Sequence, residues 1–182
     1  MGAASGSNGF GGIRRTLLKQ QPQELIRLIG ELYRLSRENR RFLEARLCAP
    51  AKQLPLYRQL VADCVFPDPL RKGSKVRIIE AKRAISQYQR ATGDVEGTVD
   101  LMLTFVEQGT AFAADLGYGD ETFFASLERM LLSALAILRQ GMGEFRRTTV
   151  PRLIGLSRAA RDLGWGYGDF VVEQIAKFQP DR

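Results

Sequence analysis

Between Arg71 and Arg90 the chain carries seven basic side chains (Arg71, Lys72, Lys75, Arg77, Lys82, Arg83 and Arg90) and a single acid, Glu80. The next stretch reverses the sign: Asp94, Glu96, Asp100, Glu107, Asp115, Asp120 and Glu121 follow with no base among them. Clustered cations attract phosphates or carboxylates. On a helical wheel Lys75, Lys82, Arg83 and Arg90 share one side, opposite Ile78, Ala81, Ala84, Ile85 and Tyr88. Those four are the candidate binding face, for nucleic acid or another acidic partner. The plainer reading sets the stripe beside the acidic helix that follows, with much of its field cancelled. A second cluster, Arg34, Arg37, Arg40, Arg41 and Arg46, falls near the end of the first long helical segment. There arginines complement the helix dipole, and Glu38 and Glu44 dilute them.

Other chemistry is narrowed by what is missing. The sequence contains no histidine, which excludes Ser-His-Asp and Cys-His catalysis and histidine-ligated metals. Asp94, Glu96, Asp100 and Glu107 do not make a di-metal site, because the Glu-x-x-His partners of that helical pattern are lacking. Asp100 and Glu107 share a helix face, as acids do on any solvated helix surface. Cys48 and Cys64 sit among apolar neighbours and read as two buried thiols rather than a zinc or redox pair. The run Gly164-Trp165-Gly166-Tyr167-Gly168-Asp169 has neither dinucleotide-loop nor P-loop spacing. One reading has Trp165 and Tyr167 lining a groove with Asp169 as its polar anchor. The plainer one has both rings plugging a gap between helices and Asp169 capping the next helix. No nucleophile can be named with its base, so no enzyme, cofactor or metal is expected.

The elements that must position these residues are helical. The chain has 182 residues, 45% hydrophobic and 26% charged, with a net charge of +7. That is enough for one domain with its own core. Apolar residues recur at three- and four-residue spacing, and strand signals are nearly absent. Pro22 suits the first turn of a helix through Leu35, and Ser36 starts or continues a second one to Leu47. Pro50 and Pro55 bracket a break before a short helix ending at Phe66. Ser74, Asp94, Asp120 and Thr149 are expected caps of the next four helices, and the last helix runs from about Asp169 to Phe178. About seven antiparallel helices are predicted, as a bundle or a short HEAT-like stack of helical hairpins. Residues 1–12 read as a disordered Gly/Ser-rich tail and 13–182 as a single helical domain. No apolar run is long enough to span a bilayer, so no membrane association and a cytoplasmic location are expected.

One internal echo stands out. Asp115-Leu116-Gly117-Tyr118-Gly119-Asp120 is similar to Asp162-Leu163-Gly164-Trp165-Gly166-Tyr167-Gly168-Asp169, at a spacing that would suit stacked hairpins. Shared turn chemistry explains it equally well: glycine for positive φ, aspartate for the free amides of the next helix.

The segments Glu24-Leu25-Ile26, Leu32-Tyr33, Phe42-Leu43-Glu44-Ala45-Arg46-Leu47, Lys82-Arg83-Ala84-Ile85-Ser86-Gln87-Tyr88 and Asp100-Leu101-Met102-Leu103 carry a resemblance, as do Val106-Glu107-Gln108-Gly109-Thr110 and Gly164-Trp165-Gly166. Together they resemble a family of small uncharacterised bacterial helical proteins, defined as a domain of unknown function. The resemblance implies one helical domain of bacterial, cytoplasmic type and transfers no catalytic residue. The functional expectation is a non-enzymatic module that binds another protein. The alternative is nucleic-acid or acidic-partner binding through the basic helix face.

Overall fold

Apolar side chains that return once per helical turn let the backbone satisfy itself locally while one face is buried. The computed structural model describes residues 9–48, 50–141 and 143–178, and every regular element among them is an α-helix. In chain order these are α1 (Phe10–Leu17), α2 (Pro22–Leu35), α3 (Arg37–Leu47), α4 (Pro50–Val65), α5 (Ile78–Thr92), α6 (Val95–Leu116), α7 (Glu121–Arg139), α8 (Gly143–Ala160) and α9 (Tyr167–Phe178). The fold is all-α, with nine helices among the described residues where about seven were expected. None of these helices is long and apolar enough to cross a membrane.

The additional helices and shifted boundaries have physical causes. The expected tail, residues 1–12, overlaps α1: residues 1–8 lie outside the described residues, but Phe10 to Gly12 form the helix's first turn. Pro50 and Pro55 do not bracket a break. Pro50 opens α4, where a missing N–H costs nothing, and Pro55 lies within the same helix. Thr149 is not a cap: its hydroxyl donates to the Phe145 carbonyl at 2.7 Å inside α8, and Pro151 is also interior. Helix α5 does not start after Ser74. The Arg77 amide donates to the Cys64 carbonyl at 2.8 Å, which holds Arg77 out of helical geometry and delays the start to Ile78.

The chain, read above as one domain over 13–182, packs as two compact units that divide after Glu44. The first contains α1, α2 and most of α3, and no residue of α1 or α2 is buried. Its visible ties are polar. The Tyr33 hydroxyl donates to Glu44 Oε1 at 2.6 Å, Asn39 Nδ2 donates to the Leu32 carbonyl at 2.9 Å, and the Arg40 guanidinium lies 5.1 Å from the centre of the Tyr33 ring.

The second unit is built around α6, which touches α4, α5, α7 and α8, while α9 packs on α7 and α8. Val99, Leu101, Leu103, Phe105 and Val106 of α6 are fully enclosed. Two of the four expected caps hold: Asp94 accepts from the Gly97 amide at 2.9 Å and Asp120 from the Phe123 amide at 2.7 Å. Gly109 lets Leu127 of α7 lie against the α6 backbone, where any Cβ would collide with it. Tyr167 of α9 enters the same core, stacked on Phe124 at 4.9 Å, its hydroxyl 2.6 Å from that of Thr110. Burial pushes that phenol well above the ordinary tyrosine value.

Candidate functional site

Helices α5 and α6 do pack against each other, yet among the described residues no ion pair joins a base of α5 to an acid of α6. The Asp94 carboxylate is committed to the Gly97 amide and to the Tyr88 hydroxyl, which donates at 2.6 Å. Asp100 and Glu107 hold arginines from other helices. Among the described residues, the basic segment forms one ion pair, Arg77 to Glu80 at 2.9 Å. Lys82 and Arg83 therefore keep their charge uncompensated by a bonded carboxylate.

Both line a hollow of about 570 Å³ with Val76, Ile79, Tyr118 and Phe123. Val76 and Tyr118 also line an adjoining hollow of about 460 Å³, shared with Lys75, Phe112 and Leu116. The four-residue stripe expected on one helix face is thus divided. Lys75 precedes α5 and sits at the second hollow. Arg90 lies in the last turn of α5, its Nε donating to the Ser86 carbonyl at 3.3 Å, and lines neither hollow. Lys82, Arg83 and Lys75 are brought to one groove; Arg90 is not. Burial, and after it the charge of Arg129, holds the Lys82 ammonium below the ordinary lysine value.

A second cluster joins α4, α6 and α8. Asp100 is buried, not on a solvated face as expected. Its Oδ2 accepts from Arg58 Nε at 2.9 Å, and its Oδ1 accepts from Arg152 Nη1 at 2.7 Å. Arg152 also grips Glu107 in a two-pronged pair, at 2.9 and 2.7 Å. Burial opposes the Arg152 charge, but the hydrogen bonds and charges of Glu107, then Asp100, outweigh it and hold the guanidinium above its ordinary value. All four carboxylate oxygens are occupied and the charges balance. The cluster lines a hollow of about 650 Å³, but its geometry is that of a clamp rather than of a poised acid and base. Sequence reasoning missed Arg58 and Arg152 altogether. The seven-residue spacing of Asp100 and Glu107 marks one helix face, but nothing in it points to the arginines that fill it.

The glycine-aromatic turn does not assemble the groove of Trp165, Tyr167 and Asp169. Tyr167 points into the core and plugs it, as the plainer reading had it. Trp165 does not: it is 69% exposed and has a φ of 61°. Helix α9 begins at Tyr167, so Asp169 lies in its first turn rather than capping it. The earlier echo differs in shape, because Gly117 and Gly119 take the positive φ there while Trp165 and Gly166 take it here. The cysteines also part company. Cys64 is buried and its thiol pushed up by burial, against the hydrogen bond from Arg77 Nη2 at 3.5 Å; Cys48 is exposed. Among the described residues, no group of three or more cysteines and carboxylates is placed to hold a metal ion. No protein-family model matches the chain, and no curated protein or solved structure matches it either.

Proposed function

We propose that this protein is a non-enzymatic interaction module that binds another protein in the bacterial cytoplasm. The observation that carries this reading is the apolar face of α2. Leu28, Ile29, Leu32 and Leu35 share one side of the helix and are 40%, 44%, 43% and 75% exposed. Single exposed leucines are ordinary; a whole helical stripe of them supports a docking role. The test is a photo-crosslinking residue at position 32 in the cells that make the protein. Discrete protein adducts at Leu32, lost when Leu28 and Leu35 become Gln, are expected. Absence of protein adducts, or flotation with anionic vesicles that depends on the same leucines, would overturn the reading.

A second reading, an acidic partner or nucleic acid held by the basic face, is favoured by one specific arrangement. Asp100 and Glu107 are spent on Arg58 and Arg152, and Asp94 on Tyr88 and a helix cap, while among the described residues no ion pair ties Lys82 or Arg83 to a carboxylate.

A further inference from the structure

The two adjoining hollows beside α5 have an apolar floor and a cationic rim. Ile79 and Tyr118 are 69% and 47% exposed, and Val76 and Tyr118 run through both hollows. Two acids also lie there, and neither is free. Glu80 is paired with Arg77, and Asp120 accepts from the Phe123 amide as the cap of α7. The Asp120 cap keeps its negative charge, so Lys82 and Arg83 leave this hollow with one net positive charge, and Lys75 adds another at the far end. Lys82 also feels Arg129 as a like charge. An incoming carboxylate would relieve that repulsion, and an incoming apolar side chain would cover surface that water now wets.

Nucleic acid fits this groove less well. Phosphate tracking needs cations at regular intervals along a path. Here Arg90 is turned onto its own helix, Arg77 is neutralised, and Asp120 stands in the same hollow as Lys82. Apolar anchors beside a few fixed cations are the usual terms of recognition for a short amphipathic segment.

We propose that this groove docks an acidic peptide segment of a partner protein, with apolar side chains on Val76, Ile79 and Tyr118 and carboxylates against Lys82 and Arg83. The proposal rests on the acidic-partner reading of the basic face and is independent of the α2 stripe. The test pans a library of random linear peptides on the full chain, with counter-selection on an Ile79→Asp, Lys82→Glu, Arg83→Glu variant. Thermal melting checks that the variant is folded, and Ile79→Asp with Arg83→Glu serves if the triple variant is not. Selected peptides are expected to be rich in Asp and Glu interleaved with Leu, Ile and Phe. A synthetic copy should bind the variant roughly 10- to 100-fold more weakly, the scale of losing desolvated charge pairs and an anchor. No enrichment over the variant, or enrichment of basic or uncharged peptides, overturns the proposal. Mixed-sequence single-stranded RNA is the second probe. Binding of RNA that falls with Lys82→Glu and Arg83→Glu but ignores Ile79→Asp reassigns the face to nucleic acid. Failure of both probes removes the basic-face reading itself.

Discussion

Helices α2 and α6 differ less in sequence than in fate. Both have leucines at helical spacing and both are bounded by recognisable caps or first-turn residues. Yet α6 has thirteen buried residues and α2 has none. Amphipathicity fixes which side of a helix seeks cover; it does not say whether cover is present. In α6, apolar positions occur nearly all round, so four neighbouring helices can close on it. In α2, Glu24, Arg27, Glu31 and Arg34 occupy one side, and Leu28, Ile29, Leu32 and Leu35 form an exposed stripe on the other.

The largest effect should come from emptying the buried side of this comparison. Phe105→Ala removes a fully enclosed ring from α6. Transfer and cavity costs together should lower the unfolding free energy by about 3–5 kcal/mol. Denaturant titration followed by far-UV circular dichroism measures it. A loss below about 1 kcal/mol would mean the second unit is far looser than its enclosed side chains indicate.

A middle-sized effect is expected at the clamp. Arg152→Ala strips Glu107 of both its bonds and leaves Asp100 with Arg58 alone. Breaking a buried pair commonly costs several kcal/mol, but Arg152 is about a third exposed. Screening by solvent reduces the expected loss to about 1–3 kcal/mol. A double-mutant cycle with Glu107→Ala isolates the pair, and a coupling indistinguishable from zero would reduce the clamp to a surface ornament of the fold.

Why the caps were legible and the clamp was not follows from range. Asp94 and Asp120 act on amides three residues away, so local sequence contains the whole interaction. Arg152 acts on residues 45 and 52 positions earlier, and no local pattern records that. The all-α class was readable because hydrophobic period is local as well. Helix α1 was hidden by its glycines, and Pro50 and Pro55 suggested a break because local propensity, unlike packing, counts prolines as breaks. The basic stripe was half readable. Its residues were correctly picked out as cationic, but the fate of the acids beside them depended on Arg58 and Arg152. That dependence turns the expected cancellation into a groove that keeps its charge.

The smallest effect sharpens the comparison most. Leu32→Gln replaces a leucine of the α2 stripe that is 43% exposed, in a helix with no buried residue. Little apolar area returns to water, and glutamine is nearly as good a helix former as leucine, so unfolding should move by no more than about 0.5 kcal/mol either way. The same exchange at Leu103, wholly enclosed in α6, would bury an amide without partners and destabilise strongly. The contrast is concentration-dependent in one direction only. If Leu32→Gln costs more as protein concentration rises, mass action shows that a second copy covers the stripe in solution. If it costs more than about 1.5 kcal/mol at every concentration, the stripe is covered within the chain itself. The difference between α2 and α6 would then be one of degree, and the docking role assigned to α2 would lose its ground.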